Sequence, residues 1–233
     1  MRLAPFLLAL AAATPVAAAE RSYSLTDFER VVIEGPYQVR LTTGLASGGS
    51  ASGAEQALDR VSVEVQGSTL RIRPSRSSWG GYPGQAAPPP PVILVRTRTL
   101  RSAAVNGSGS LTVDKASGLR VDLSVAGSGR LAVAAVDADN LSVTMIGSGK
   151  VSFAGRAKQL KAMLQGGAEL QGPRLVADDL QLNAETSGNV ALAVRRSAKV
   201  RSTGAGDVTI TGAAAACTVE ALGSGTVRCG NRQ

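Results

Sequence analysis

Two acidic pairs, Asp137/Asp139 and Asp178/Asp179, are the residues of this chain best placed to do chemistry. Both precede an alternating apolar segment. Asp139 and Asp178-Asp179 recur at similar places two repeats apart, so they could line one edge of a folded stack. Carboxylates gathered on the outside of a parallel β-helix would suit acid–base cleavage of polysaccharides. The same acids serve equally well as solvated turn residues. No cluster of acids recurs just after the turns described below, where Ser110, Arg130, Lys150, Glu169, Asn189, Asp207 and Thr226 follow one another. The chain contains no histidine, which excludes Ser-His-Asp and Cys-His catalysis and every His-containing metal site. The regular Asp of Ca²⁺-binding β-roll repeats is missing too. No cofactor and no metal are implied, and the chain reads as a non-enzyme.

Binding is the other chemistry on offer. Lys158, Lys161, Lys199 and Arg201, with Arg195 and Arg196, could form a basic surface, and Trp79 and Tyr82 could contact a sugar or a partner. The formal net charge is +8, which favours anionic partners such as acidic glycans or an envelope surface. The basic residues are scattered and aromatics make up only 3% of the chain, which argues against nucleic acid. Outward charges that keep long sheets from pairing laterally are the plainer alternative.

The elements that must carry these residues are set by a repeat. Gly107-Ser108-Gly109, Gly127-Ser128-Gly129, Gly147-Ser148-Gly149, Gly166-Gly167-Ala168, Thr186-Ser187-Gly188, Gly204-Ala205-Gly206 and Gly223-Ser224-Gly225 are each followed two positions on by an aliphatic residue. Those anchors are Leu111, Leu131, Val151, Leu170, Val190, Val208 and Val227, a period near 20 residues. Before each turn lies an alternating set such as Val121-Leu123-Val125 or Leu141-Val143-Met145, which points one face inward. Such a period predicts stacked coils of two short strands and two turns, with glycine at the corners. Hydrophobic residues make up 44% of the chain; with so few rings, the core must be built from thin aliphatic layers.

Residues 1–19, with Arg2, the apolar run Leu3 to Ala13 and Ala17-Ala18-Ala19, have the form of a secretory signal peptide. No second apolar run long enough to span a bilayer follows. Residues 20–233 are then one exported domain, periplasmic or at the cell surface. Residues 27–98 form irregular coils, in which Gly35-Pro36-Tyr37 is an early corner, and 99–229 form the regular ones. Residues 45–57, rich in Gly, Ser and Ala, and 75–91, with four consecutive prolines, are expected to be surface loops. The N-terminal strands are expected to cover the open end of the stack. Cys217 and Cys229 fall on inward positions of the final coil; in an oxidising compartment they would form a disulfide, and otherwise they would be buried thiols.

The stretch Asp27-Phe28-Glu29-Arg30-Val31-Val32-Ile33-Glu34-Gly35-Pro36-Tyr37-Gln38-Val39, followed by Leu70-Arg71-Ile72 and the Gly-Ser-Gly series, resembles the head GIN domain family, an auto-transporter adhesin head domain. The resemblance spans about residues 27–229. It implies an all-β, right-handed parallel β-helix of pectin-lyase-like shape without those enzymes' catalytic residues, and a role in adhesion. The expected function is therefore an exported, non-enzymatic binding or adhesion module. A carbohydrate-active enzyme of the same shape, or a periplasmic component that binds another envelope protein, are the alternatives.

Overall fold

The computed structural model describes residues 19–75, 89–212 and 216–230. Residues 1–18 of the expected signal peptide, and residues 76–88 of the Pro-rich insertion with Trp79 and Tyr82, lie outside the described residues. The chain is a parallel β-solenoid of about 20 residues per coil. In chain order its elements are β1 (Ala19–Tyr23), β2 (Arg30–Glu34), β3 (Gln38–Thr43), β4 (Gly48–Gly53), α1 (Glu55–Asp59), β5 (Val61–Gln66), β6 (Thr69–Pro74), β7 (Val92–Thr97) and β8 (Ser102–Gly107). Then follow β9 (Ser110–Gly127), β10 (Arg130–Gly147), β11 (Lys150–Gly166), β12 (Glu169–Thr186), β13 (Val190–Ser202), β14 (Val208–Thr211), β15 (Ala216–Ala221) and β16 (Val227–Cys229).

The repeat anchors stack as one column. Leu111, Leu131, Val151, Leu170, Val190, Val208 and Val227 are successive Cα partners, and all but the last are buried. The alternating sets before the turns form the facing wall, where Ala103, Leu123, Val143, Ala162, Leu182, Val200 and Val219 align in the same way. Apolar side chains from the two walls meet between them, and no coil could bury its own face alone.

The expectation of two short strands per coil holds at the C-terminal end, in β14 and β15, and is corrected in the middle. There β9 to β12 each run for 17 or 18 residues without a break. Bonding between coils continues round the second bend, since Val133 pairs with Val113 and Ala135 and Val136 pair with Lys115 and Ala116. That bend contributes a third inward wall of small residues, with Ala116, Val136, Ala157, Leu175, Ala177 and Val194 all buried. From β9 to β12 only the Gly-rich corner interrupts the strand.

The two glycines of that corner do different jobs. The first turns the chain: Gly107, Gly127 and Gly147 lie at φ between +107° and +109°, a conformation costly for any other residue. The second makes room, because a Cβ on Gly129 would lie 2.6 Å from Val105 Cγ1 and 2.8 Å from the Gly109 carbonyl oxygen. At the fifth corner, Thr186 replaces the first glycine. Its buried hydroxyl donates to the Ala168 carbonyl at 2.8 Å and accepts the Gly188 N–H at 3.0 Å.

The N-terminal strands interleave. β2 lies between β6 and β8, and β3 between β7 and β9, all parallel. Gly35, at φ +109°, turns β2 into β3, and the Tyr37 carbonyl accepts the Ser110 N–H at 2.8 Å, so this corner stacks beneath the first Gly-Ser-Gly. Outside them, β4 and β5 run antiparallel to β7 and β6, and β1 runs antiparallel to β4. Residues 45–57 are therefore not a loop. Their Gly, Ser and Ala content permits close packing: Ala51 is buried, and a Cβ on Gly49 would already press on Leu25, Val95 and the Leu94 carbonyl at 3.2 to 3.3 Å.

The last coil is exposed on its outer side. Cys217 and Cys229 do occupy inward columns, paired with Ala198 and Ile210. Cys217 is nevertheless exposed and Cys229 half-buried, because no described strand stacks beyond β15 and β16. The two cysteines form a disulfide that ties one wall to the other, with Cα atoms 6.5 Å apart.

Candidate binding surfaces

The acidic pairs lie along the bend wall, where the ladder register gives each a cation on a neighbouring coil. Asp137 accepts from Arg156 at 2.7 and 3.0 Å, and Asp139 pairs with Lys158 at 2.8 Å. Asp178 pairs with Arg195 at 3.8 Å, and Asp179 with Arg196. Asp139 and Asp178 do share this edge, but Lys158 stands on the coil between them. The Arg156 hydrogen bond holds the Asp137 carboxyl below the ordinary carboxylate range. The Ser197 hydroxyl, and then Arg196, do the same for Asp179. On the anchor wall, Lys150 at 2.8 Å, helped by Gln171, lowers Glu169. Groups stabilised as anions are poor general acids, whose pKa must be raised toward the working pH.

The basic residues picked from the sequence do not share one surface. Lys158 belongs to the bend wall, bound to Asp139. Lys161 and Lys199 stand in one outward column of the facing wall with Gln181 between them. Arg201 is in the adjacent column beside Asn183 and makes a 3.8 Å ion pair with Glu220. A shallow groove of about 230 Å³ runs past Met163, Gln165, Asn183, Glu185 and Arg201, and one of about 360 Å³ crosses the paired bend wall. Among the described residues, no group of three or more His, Cys, Asp or Glu side chains could hold a metal ion.

A different cluster escapes a reading of the chain. Arg30 on β2, Arg101 just before β8 and Arg120 on β9 line one groove of about 290 Å³, with Glu29, Ser102, Asp122 and Leu119. Nothing local joins these arginines; the insertion of β2 beside β8 does, placing Arg30 opposite Ser102 and Ser102 opposite Asp122. The internal corner at Gly35 was the only available signal that β2 belongs in the stack.

The family described as "Putative auto-transporter adhesin, head GIN domain" matches residues 27–214. The chain belongs to this family. The match takes in the Gly35 corner and the first six repeat corners, and it stops before β15. Among solved structures, a "putative adhesin" from Bacteroides fragilis NCTC 9343 is 16% identical, with a TM-score of 0.79 over 91% of this chain and 97% of that one. A "putative lipid binding protein" from Parabacteroides distasonis ATCC 8503 is 20% identical, with a TM-score of 0.69 over 94% and 98%. A "putative adhesin" from Parabacteroides merdae ATCC 43184 is 13% identical, with a TM-score of 0.67 over 94% and 98%. At these identities the likeness is one of fold. No curated protein matches the chain.

Proposed function

We propose that this head GIN domain is an exported, non-enzymatic module that binds a component of the cell envelope, in the periplasm or at the cell surface. The observation that carries the reading is the closure of the bend-wall carboxylates into ion pairs between coils. Asp137, Asp139, Asp178 and Asp179 each face a cation, which supports a structural role for the residues best suited to catalysis. What remains outward is a set of aligned columns on a rigid frame, repeating about every 4.8 Å. Such a frame presents side chains to a partner at little cost in ordering them, which favours binding. Family membership supports adhesion as the purpose of that binding. Among the described residues no helix is long and apolar enough to cross a membrane.

The test compares binding with turnover. The purified chain is applied to envelope fragments and to a glycan array, while the same glycans are assayed for reducing ends and unsaturated products. Retention without product is the expected result. Product formation that disappears in Asp178→Ala or Asp179→Ala would instead establish an enzyme.

A further inference from the structure

The arginine groove at β2, β8 and β9 differs from the ion-paired bend wall in what is left unused. Arg101 makes a 3.5 Å contact with Glu29, while among the described residues neither Arg30 nor Arg120 has a carboxylate within ion-pair distance. Among the described residues Asp122 likewise has no cation at that distance. The three arginines come from three neighbouring coils about 4.8 Å apart; because Arg30 aligns with Ser102 and Asp122, Arg101 and Arg120 lie one and two residues earlier in register, and the row crosses the stack obliquely. Each can grip an oxyanion through two parallel N–H donors. Beside them, the Asp122 carboxylate and the Ser102 hydroxyl offer acceptors, and Leu119 at the rim is 78% exposed.

We propose that this groove binds the oxyanion groups of an acidic polysaccharide running obliquely across the stacked coils. Arg30, Arg101 and Arg120 would hold successive carboxylates or sulfates. Asp122 and Ser102 would accept hydrogen bonds from sugar hydroxyls, and Leu119 would lie under the apolar face of a ring. A free phosphate would use the arginines and leave the Asp122 and Ser102 acceptors without donors; a polysaccharide brings both oxyanions and neutral hydroxyls. This site deepens the binding role proposed above and rests on it.

The experiment measures retardation of the full chain in gels containing polygalacturonate, dextran sulfate or neutral dextran. Arg30→Glu/Arg120→Glu is compared with Lys161→Glu/Lys199→Glu, which changes the net charge equally at another surface. The groove variant should lose at least tenfold in affinity for polygalacturonate, dextran sulfate or both, and the arm affected tells carboxylate from sulfate. The lysine variant should stay within about threefold of the parent, and neutral dextran should retard none. Arg30→Gln/Arg120→Gln should show a smaller loss in the same direction, with circular dichroism confirming that each variant is folded. Equal losses in the two charge-reversed variants, or no loss in either, would overturn the site. The broader role is judged separately, by whether the parent chain is retained on envelope fragments.

Discussion

The middle coils and the last coil use the same columns and have very different surroundings. Val200 on β13 is 2% exposed, whereas its partner Val219 on β15 is 41% exposed. Ala198 is buried and its partner Cys217 is not. The residue types are similar, so the difference comes from the neighbour on the far side. In a solenoid, burial is conferred by the next coil, and stability accrues through interfaces between repeats. The two ends meet this problem differently. Antiparallel β1, β4 and β5 cover the N-terminal end, while at the other the Cys217–Cys229 disulfide joins the walls of an otherwise thinly held coil.

The comparison is broken most directly in the middle. Phe153 is the one aromatic in the regular coils' core, and a Cβ on Gly172 of the next strand would collide with its ring. Phe153→Ala should cost about 3–5 kcal/mol in urea unfolding. Gly172→Ala should cost about 1–3 kcal/mol by overpacking. The double variant should be less damaging than the sum of the two, since the cavity admits the new methyl; simple additivity would contradict the packing described. Replacing both cysteines with serine should come next, weakening the last coil by about 2–3 kcal/mol for a short closed loop. Hydrogen exchange should then quicken over 216–229 and not in β10 to β12. A uniform loss of protection would mean that the ends and the middle form one cooperative unit.

Smaller effects sharpen the same contrast. Val200→Ala should cost about 2 kcal/mol, and Val219→Ala about 0.5 kcal/mol or less; comparable costs would place an unseen covering over β15. The ion-paired bend wall should show itself only in acid. Asp137 and Asp179 are shifted downward in the folded state, so their contribution is present above the ordinary carboxylate range, near pH 4. It is lost as pH falls through their lowered values. Asp137→Asn/Asp179→Asn should therefore lower the melting temperature slightly at pH 7 and leave it less sensitive to acid than the parent. An unchanged acid limb would remove these pairs from the account.

The coil period is legible in the chain because the corner has two steric demands, one on φ and one on space, which small residues meet at nearly every copy. The bend wall is not legible, because Ala116, Ala157 and Ala177 carry little hydrophobic signal and sit among charges such as Lys115, Arg156 and Asp178. The ladder also shifts register between Gly172 and Val176, which blurs any periodic count. The Gly, Ser and Ala of 45–57 mark a loop by composition and a tightly packed strand in three dimensions. The acidic edge can be anticipated from spacing, but its cations cannot, since pairing depends on which coil follows. The arginine groove is least legible of all, as Arg30 and Arg101 meet only through a strand inserted out of sequence.

That insertion has a consequence for the order of assembly. Every stacking neighbour of β2 and β3 lies downstream, in β6 to β9, and Val39 finds its partners Ile93 and Leu111 about 50 to 70 residues later. The middle coils need wait only one period for theirs. Folding that starts from local partners would therefore begin among β9 to β12 and reach the first strands late. Strands synthesised before all of their stacking partners would thus be among the last to be finished, and the arginine groove would come into being only with that final closure.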